Sequence, residues 1–311
     1  GMKDLILDLQ GNGGGYLNAA IDLANEFLGQ KELIVYTEGR TAQRSEFFAK
    51  GNGDFRTGRL IILVDEYTAS ASEIVSGAVQ DWDRGIIVGR RSFGKGLVQR
   101  PIDLPDGSMI RLTIARYYTP AGRCIQKPYD SSTDYNKDLI ERFNHGELMN
   151  ADSIHFPDSL KVQTKKLKRT VYGGGGIMPD YFVPIDTTLY TDYHRNLVGK
   201  GVIIKFTMKF IEDHRKELAD KYKKFEHFNE KFIIDDDMLA TLREMGEKEG
   251  VKFNEEQYQK SLPLIKTQLK ALIARDLWDM NEYFRVMNAT NESVQKALEI
   301  LNSGEYQKKL K

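Results

Sequence analysis

The stretch from Arg59 to Gln99 constrains the fold of this chain more than any other part of the sequence. It opens with an apolar run, 60–64, which is long enough for a buried strand and too short for a typical helix. A turn of small and polar residues follows, and after it apolar residues recur at helical spacing. A second apolar run and a glycine-flanked lysine, Lys95, complete the stretch. This order of strand, turn, helix and strand predicts an α/β layer structure.

The turn before the predicted helix carries two serines, Ser70 and Ser72, that allow two interpretations. Either serine could be an N-cap, because a hydroxyl oxygen at a helix N-terminus accepts a hydrogen bond from an early N–H group. Glu73, three residues after Ser70, would complete a capping box. Alternatively, one serine is a nucleophile, and the N–H groups at the helix end bind the oxyanion that forms on a carbonyl. The turn by itself favours the cap.

A nucleophilic serine needs a base, and the five histidines of the chain all lie outside this stretch. A Ser-His-Asp triad is therefore poorly supported. A lysine can replace the histidine where burial lowers its pKa, because desolvation disfavours the ammonium form. Lys95, with glycines on both sides and apolar residues beyond them, fits that role. Asp81 would share a helix face with Ser70 at a distance of about 15 Å, which favours a supporting role over direct contact.

Several short segments of this stretch together resemble the core of the C-terminal processing (tail-specific) serine proteases. They are Ser70–Ile74, Gln80-Asp81, Val88-Gly89, Ser92–Gly96 and Val98-Gln99. The resemblance implies a layered α/β protease core of the ClpP/crotonase-like class and a Ser-Lys dyad. Carried over by position, Ser70 matches the nucleophile, Lys95 the general base, and Gln99 the glutamine that orients the base. Asp81 matches an acidic position that helps organise the site in some members, and Ser72 is left as a helix cap.

A glycine-rich segment, 10–15, separates a predicted strand from a predicted amphipathic helix. It is neither a P-loop nor a clean dinucleotide-binding motif, which weakens the case for a phosphate site. It resembles the Arg-x-Asn-x-Gly-Gly segment of the same protease family. That resemblance implies that Gly13 or Gly14 donates a backbone N–H to the oxyanion, together with the N–H of Ala71. Gln10 stands where the family usually has arginine, which puts in doubt any ion pair there.

Composition excludes several classes of function. The 45 basic and 45 acidic residues cancel, so no global charge recruits nucleic acid or an anionic membrane. A short basic run at 165–169 is interpreted as a solvated face. The single cysteine, Cys124, excludes an intrachain disulfide and a cysteine-cluster metal site. We therefore expect neither a metal nor an organic cofactor, and no apolar run is long enough to span a membrane.

The chain is expected to divide into a protease core, 1–188, and a helical C-terminal region, 189–311, that frays past Ser303. The core is expected to be truncated at its N-terminus, because the chain opens directly on a strand. No segment similar to a PDZ domain is visible, although the family usually carries one before the core. The family resemblance implies an extracytoplasmic location, in the periplasm or at the envelope.

The sequence thus predicts a serine endopeptidase that cleaves unstructured polypeptides near their C-termini. Its partner would be a protein or peptide with a free C-terminal tail, and assembly as a homo-oligomer stays open. A second hypothesis is a non-catalytic peptide-binding or scaffold relative with the same fold. A third and weaker one is a crotonase-like acyl-transfer enzyme, but it would need a feature that binds coenzyme A, and none is found.

Overall fold

The computed structural model describes residues 1–128 and 137–311. They form two compact units, one of residues 1–184 with 296–311 and the other of residues 185–295. The last sixteen residues thus group with the first unit, which nothing in their sequence pattern indicates.

Two four-stranded sheets and a two-stranded ribbon make up the β-structure of the described part of the first unit. The strands are β1 (Asp4–Asp8), β2 (Leu33–Glu38), β3 (Ser45–Phe48), β4 (Arg59–Val64), β5 (Ile86–Gly89), β6 (Leu97–Asp103), β7 (Met109–Tyr118), β8 (Lys161–Gln163), β9 (Thr170–Tyr172) and β10 (Tyr181–Phe182). The first sheet is parallel with the order β1-β4-β5-β10. The second is antiparallel with the order β3-β2-β7-β6, and β8 pairs with β9 in the ribbon.

The centre of the first unit is a helix with every residue buried. The helices of this part of the chain are α1 (Leu17–Asn25), α2 (Ala71–Asp81) and α3 (Asp138–Asn144). All residues of α2 are buried, and the helix packs against α1, β2 and β5. It therefore contacts both four-stranded sheets. In β4, Leu60 to Val64 are fully buried, as expected for a strand with neighbours on both sides. The layered α/β core predicted from the sequence is confirmed.

One strand of the second sheet, β3, lies in a polar stretch of the sequence. The polar stretch 40–56 contains β3, which pairs with β2 through a register shift between Leu33 and Val35. Ala49, just after β3, is buried, and its N–H donates to the carbonyl of Glu32 at 2.8 Å. The strand is too short for its alternation to stand out, so its pairing with β2 decides its conformation.

The basic run at 165–169 is not a solvated face throughout. Arg169 donates to Asp83 at 2.7 Å and also pairs with Asp180, and its side chain is only 15% exposed. Asp180 in turn accepts the N–H of Ile87 at 2.8 Å. These contacts join Arg169 to Asp180, which follows β9, and join Asp180 to β5. Part of the basic run therefore belongs to a structural ion-pair network.

The expectation that the chain frays past Ser303 is wrong. The last helices are α10 (Glu292–Asn302) and α11 (Glu305–Lys309). In α11, Tyr306 is 7% exposed, and its hydroxyl accepts the N–H of Leu60 at 2.9 Å. Arg59 donates to the carbonyl of Leu301. The end of the chain is therefore bound to the start of β4, the strand that leads to Ser70.

The second unit is helical, as the sequence predicts. Its helices are α4 (Asp192–Gly199), α5 (Val202–Lys221), α6 (Phe225–Lys231), α7 (Asp236–Lys248), α8 (Glu255–Leu277) and α9 (Met280–Met287). Apolar side chains of these helices, such as Phe206, Phe228, Leu242 and Ile265, form its core. In the part of the chain that the structure describes, none of the helices combines the length and apolar character needed to cross a bilayer.

Candidate active site

Ser70 lies in the turn between β4 and α2, immediately before the helix, and is partly exposed. Its backbone has φ 58° and ψ −116°, a conformation that L-residues with a side chain rarely adopt. Such backbone strain is often stored at functional sites. The sharp turn from a buried strand into a buried helix leaves Ser70 accessible at the start of α2.

Asp65 shapes the first half of this turn. Its carboxylate accepts hydrogen bonds from the N–H groups of Tyr67 and Thr68, both at 3.0 Å. It also accepts the N–H of Gly11 in the glycine-rich segment at 2.9 Å. The Thr68 hydroxyl donates to the carbonyl of Leu9 at 2.7 Å. The serine turn and the glycine-rich segment are therefore fixed to each other.

Glu73, in the first turn of α2, connects Ser70 to the loop that carries Lys95. One carboxylate oxygen accepts the N–H of Ser70 at 2.8 Å and the N–H of Lys95 at 2.9 Å. The two backbone nitrogens are therefore within about 5.7 Å of each other. The other oxygen accepts the N–H of Gly94 at 2.7 Å and the hydroxyl of Ser92 at 2.5 Å. One buried carboxylate thus positions both members of the predicted dyad.

The environment of Glu73 combines full burial with four hydrogen-bond donors. Burial raises the pKa of the Glu73 carboxyl, while the hydrogen bonds from Ser92, Lys95, Gly94 and Ser70 oppose that shift. No cation pairs with this carboxylate within residues 1–128 and 137–311. Every one of these partners donates, so the hydrogen bonds favour the ionised carboxylate, but burial has the larger effect and the pKa is raised.

The loop from Arg90 to Gly96 is bound on its other side by buried polar groups. The Ser92 hydroxyl accepts the N–H of Ile177 at 2.6 Å. Arg142 donates to the carbonyls of Arg91 and Ser92 and pairs with Glu147 at 2.7 Å. These contacts give the loop little freedom, so the position of Lys95 is set by the core.

Lys95 is half-buried, and it lines the same cavity as Gln99, an exposed residue of β6. The cavity has a volume of about 730 Å³. The hydroxyl of Tyr117 donates to the Lys95 carbonyl, and the N–H of Gly96 donates to Gln126 at 2.8 Å. In the described part of the chain, Lys95 Nζ forms no ion pair and no hydrogen bond, and it therefore has none with the Ser70 hydroxyl. The fold therefore brings the backbones of Ser70 and Lys95 together and places Lys95 and Gln99 in one cavity, without a hydrogen bond between the described side chains of Ser70 and Lys95.

The glycine-rich segment lies against the Ser70 turn through Asn12. The Asn12 side-chain oxygen accepts the N–H of Gly14 and the hydroxyl of Ser72, both at 2.9 Å. The Asn12 carbonyl accepts the N–H of Ala69 at 3.0 Å. Ser72 therefore hydrogen-bonds a neighbouring loop instead of the end of its own helix.

These contacts distinguish the two glycines predicted as oxyanion donors. The N–H of Gly14 is already used by Asn12, while the N–H groups of Gly13 and Ala71 have no partner among the described residues. Gly14 has φ +81°, and a Cβ there would come within 2.6 Å of the Ala69 carbonyl oxygen and the Ala71 nitrogen. A side chain at Gly13 would meet nothing within 4 Å. Gly14 is thus needed for the close approach, and Gly13 has the free donor.

Two other predicted positions lie outside this cluster. The Gln10 amide donates to Asp8 at 3.1 Å, so it makes a local contact in place of an ion pair. Asp81 is at the opposite end of α2 from Ser70, where it pairs with Arg123 and accepts the N–H of Ala121 at 2.8 Å. Both Asp81 and Arg123 have fully buried side chains. The structure therefore does not bring Asp81 to Ser70 or Lys95.

Sequence reasoning missed the second role of Glu73 and the role of Asn12. The spacing from Ser70 to Glu73 indicates a capping box, and the Ser70 N–H does donate to Glu73. Nothing in that spacing indicates the bonds from Glu73 to Ser92, Gly94 and Lys95, about twenty residues away. The contacts of Asn12 with Ala69 and Ser72 are equally distant in sequence.

Comparison with known proteins finds two family profiles that match different parts of the chain. The sequence profile of peptidase family S41 matches residues 1–133, and that of a family of unknown function, DUF8443, matches residues 193–279. The chain is 46% identical over 128 residues to a carboxyl-terminal-processing protease of Synechocystis sp., covering 41% of this chain and 29% of that one. It is 42% identical over 127 residues to a chloroplastic C-terminal processing peptidase of Tetradesmus obliquus, covering 41% and 27%.

A solved structure titled photosystem II D1 C-terminal processing protease has 41% sequence identity and a TM-score of 0.38. It covers 40% of this chain and 32% of that one. The chain thus spans less than a third of the length of the curated relatives just named. Residues 1–133 therefore match peptidase family S41 and are similar to the carboxyl-terminal-processing proteases.

Proposed function

We propose that this chain contains the catalytic part of a serine endopeptidase that cleaves unstructured polypeptides near their C-termini through a Ser70-Lys95 dyad. The observation that carries the proposal is the Glu73 carboxylate, which accepts the N–H groups of both residues. The match of residues 1–133 to the profile of peptidase family S41 supports peptidase chemistry in the same segment.

In this mechanism, neutral Lys95 accepts the proton of the Ser70 hydroxyl while Oγ attacks the peptide carbonyl. The protonated Lys95 then gives the proton to the leaving amine, which produces an acyl-enzyme. Water attacks the ester with Lys95 again as the base, and the Ser70 hydroxyl is restored. Each step uses the same lysine, so the reaction needs one base and no cofactor.

The oxyanion that forms during each attack needs preorganised donors. The N–H groups of Ala71 and Gly13 are proposed for this role, because neither has a partner among the described residues and Gly14 uses its N–H for Asn12. Such donors contribute about 3–4 kcal/mol each in measured enzymes. Gln99, in the cavity of Lys95, is proposed to orient the lysine amine. Asp81 is proposed to act only by stabilising the far end of α2.

The proposed substrate is a protein or peptide with a free C-terminal tail, and the proposed compartment is extracytoplasmic. The names of the relatives support C-terminal processing as the reaction type. Assembly as a homo-oligomer can be measured on the same protein by light scattering.

The proposal is tested by covalent labelling with a fluorophosphonate probe, which reacts with activated serines. We expect labelling of the wild-type chain and of Ser72→Ala, and none of Ser70→Ala. Ser72 is a matched control because it lies two residues away in the same turn. Labelling of Ser70→Ala at the wild-type level would refute the assignment of the nucleophile. A wild-type chain that neither reacts nor cleaves an unfolded substrate would favour the non-catalytic peptide-binding alternative.

A further inference from the structure

The cavity that is lined by Lys95 and Gln99 is also lined by two arginines, Arg40 and Arg116. Arg116 lies on β7, directly opposite Glu38 of β2 and Leu97 of β6. Arg40 follows β2 in a bend. The antiparallel sheet therefore brings two guanidinium groups from separate strands to the cavity of the proposed base.

Neither guanidinium is used by the fold. Both side chains are exposed, and in the ranges 1–128 and 137–311 neither forms a hydrogen bond or an ion pair. In contrast, Arg90 pairs with Glu66, and Arg91 pairs with Glu147. The two cavity arginines are thus free to bind a group from outside the chain.

The chemistry of the cavity indicates what that group is. Leu97, Ile114 and Ala115 give it an apolar wall, while two guanidiniums face one carboxylate, that of Glu38. In the proposed mechanism Lys95 is neutral until it accepts the Ser70 proton, so before that step the charged groups of the cavity are the two guanidiniums and Glu38. Guanidinium groups bind carboxylates through paired, charge-assisted hydrogen bonds. An apolar wall next to free guanidiniums suits an apolar residue that ends in a carboxylate.

We propose that Arg40 and Arg116 bind a carboxylate of the substrate, supplied by its C-terminal residue. The proposal rests on the proposed function, since it places this carboxylate beside the base. The cavity would then select chains whose free end lies within a few residues of the cleaved bond. An acidic side chain carries the same chemistry, so the test must separate the two sources.

The experiment measures binding without catalysis, using the 311-residue chain with Ser70→Ala. Three unstructured peptides of about ten residues carry the same fluorophore at the N-terminus, and their affinities are measured by fluorescence anisotropy. The first ends in an apolar residue with a free carboxylate, the second is its C-terminal amide, and the third is an amide that ends in glutamate. We expect the first to bind about tenfold more tightly than the second.

Variants on the same two strands supply matched controls. Arg116→Gln and Arg40→Gln, each added to Ser70→Ala, should reduce the preference for the free acid to less than about threefold. Arg116→Lys keeps the charge but loses the paired geometry, so its preference should lie between these values. Arg100→Gln and Arg111→Gln remove exposed arginines of β6 and β7 that do not line the cavity, and the tenfold preference should persist. Thermal unfolding followed by circular dichroism shows which variants are folded.

Equal affinity for all three peptides would overturn the carboxylate site. Equal, tight binding of the free acid and the glutamate amide, lost in Arg116→Gln, would support the carboxylate site and overturn its restriction to the C-terminal carboxylate. Tight binding of the glutamate amide alone would contradict recognition of the C-terminal residue. Because this assay needs no turnover, a chain that fails the probe assay yet prefers the free acid refutes the proposed function and not the carboxylate site.

Discussion

The two ends of α2 each contain a buried carboxylate, and the two carboxylates are compensated in different ways. At the N-terminal end, Glu73 accepts three backbone N–H groups and one hydroxyl, with no cation among its described partners. At the C-terminal end, Asp81 forms a fully buried ion pair with Arg123. The Glu73 carboxylate is thus stabilised by the dipoles of N–H and O–H groups, and the Asp81 carboxylate by the opposite charge of an arginine.

This difference separates the site that is proposed to position reacting groups from a site that stabilises the fold. A cation at Glu73 would add charge beside the proposed nucleophile and the proposed base, whose backbone N–H groups donate to the same carboxylate oxygen. Backbone donors instead fix the serine turn and the lysine loop while leaving the Lys95 side chain without a partner in the described part of the chain. At Asp81 no reacting group is near, and a buried ion pair is compatible with that location.

Removing Asp81 should have the largest effect on stability. Asp81→Ala leaves Arg123 charged and fully buried, which should lower the free energy of unfolding by about 3–5 kcal/mol. Urea denaturation followed by circular dichroism measures this loss. The control Asp22→Ala removes an exposed aspartate of α1 and should change stability by less than about 0.5 kcal/mol. A loss at Asp81 no larger than that of the control would contradict the structural role of the ion pair.

Replacing Glu73 should have a smaller effect on stability, but it should also slow the proposed reaction at Ser70. In Glu73→Gln the amide group faces donors, so two of the four hydrogen bonds are lost, at about 2–3 kcal/mol of unfolding free energy at neutral pH. We also expect the rate of probe labelling at Ser70 to fall about a hundredfold, because the dyad is displaced. Glu244→Gln, an exposed position of α7, is the control for both measurements. A labelling rate unchanged in Glu73→Gln would show that this carboxylate does not position the dyad.

The two glycines near the serine turn should respond differently to alanine. Gly14→Ala places a Cβ against the backbone of Ala69 and Ala71, at a position where φ is positive. The substitution should lower the free energy of unfolding by about 1–2 kcal/mol or more. Gly13→Ala meets nothing within 4 Å and keeps its backbone N–H, so it should be tolerated with little loss of labelling at Ser70. Thermal unfolding and probe labelling of the pair test this contrast. A greater loss in Gly13→Ala than in Gly14→Ala would contradict the described arrangement of the loop.

The smallest expected effect is a change of stability with pH. Burial raises the pKa of Glu73 above its ordinary value of 4.5. Between the pKa of the unfolded state and the higher pKa of the folded state, the folded state keeps the proton that the unfolded state has lost. The free energy of unfolding therefore falls as pH rises, by at most about 1.4 kcal/mol per pH unit. The Glu73→Gln variant has no carboxyl group at this position, so its stability does not change with pH for this reason. The stability advantage of the wild type over Glu73→Gln should therefore shrink as pH rises above 4.5. An advantage that grows with pH would show that the hydrogen bonds outweigh burial.

Much of the core around Ser70 follows from local pattern. The run 60–64 could be predicted as a buried strand, and the spacing of apolar residues after Ser70 as a helix, because both depend on periodicity within a few residues. The helical second unit follows from the same principle. The roles assigned to Ser70 and Lys95 depend instead on the resemblance to a known family.

The rest depends on contacts between residues far apart in sequence. β3 exists because its short, polar segment pairs with β2, and α11 is ordered because Tyr306 hydrogen-bonds Leu60. The bonds from Glu73 to Gly94 and Lys95 likewise join segments that no local pattern relates. A capping-box spacing indicated only the bond that Glu73 forms with the nearby Ser70.

The most direct test of the dyad is the rate of hydrolysis of an unfolded protein substrate by the wild type and by Lys95→Ala, measured across pH. Lys165→Ala, in the basic run far along the chain, is the control for loss of a lysine. The dyad predicts cleavage by the wild type and the control at a rate that rises with pH, because the base acts only when neutral. It predicts no cleavage by Lys95→Ala. Cleavage by Lys95→Ala at the wild-type rate, with the same pH profile, would contradict the assignment of Lys95 as the base.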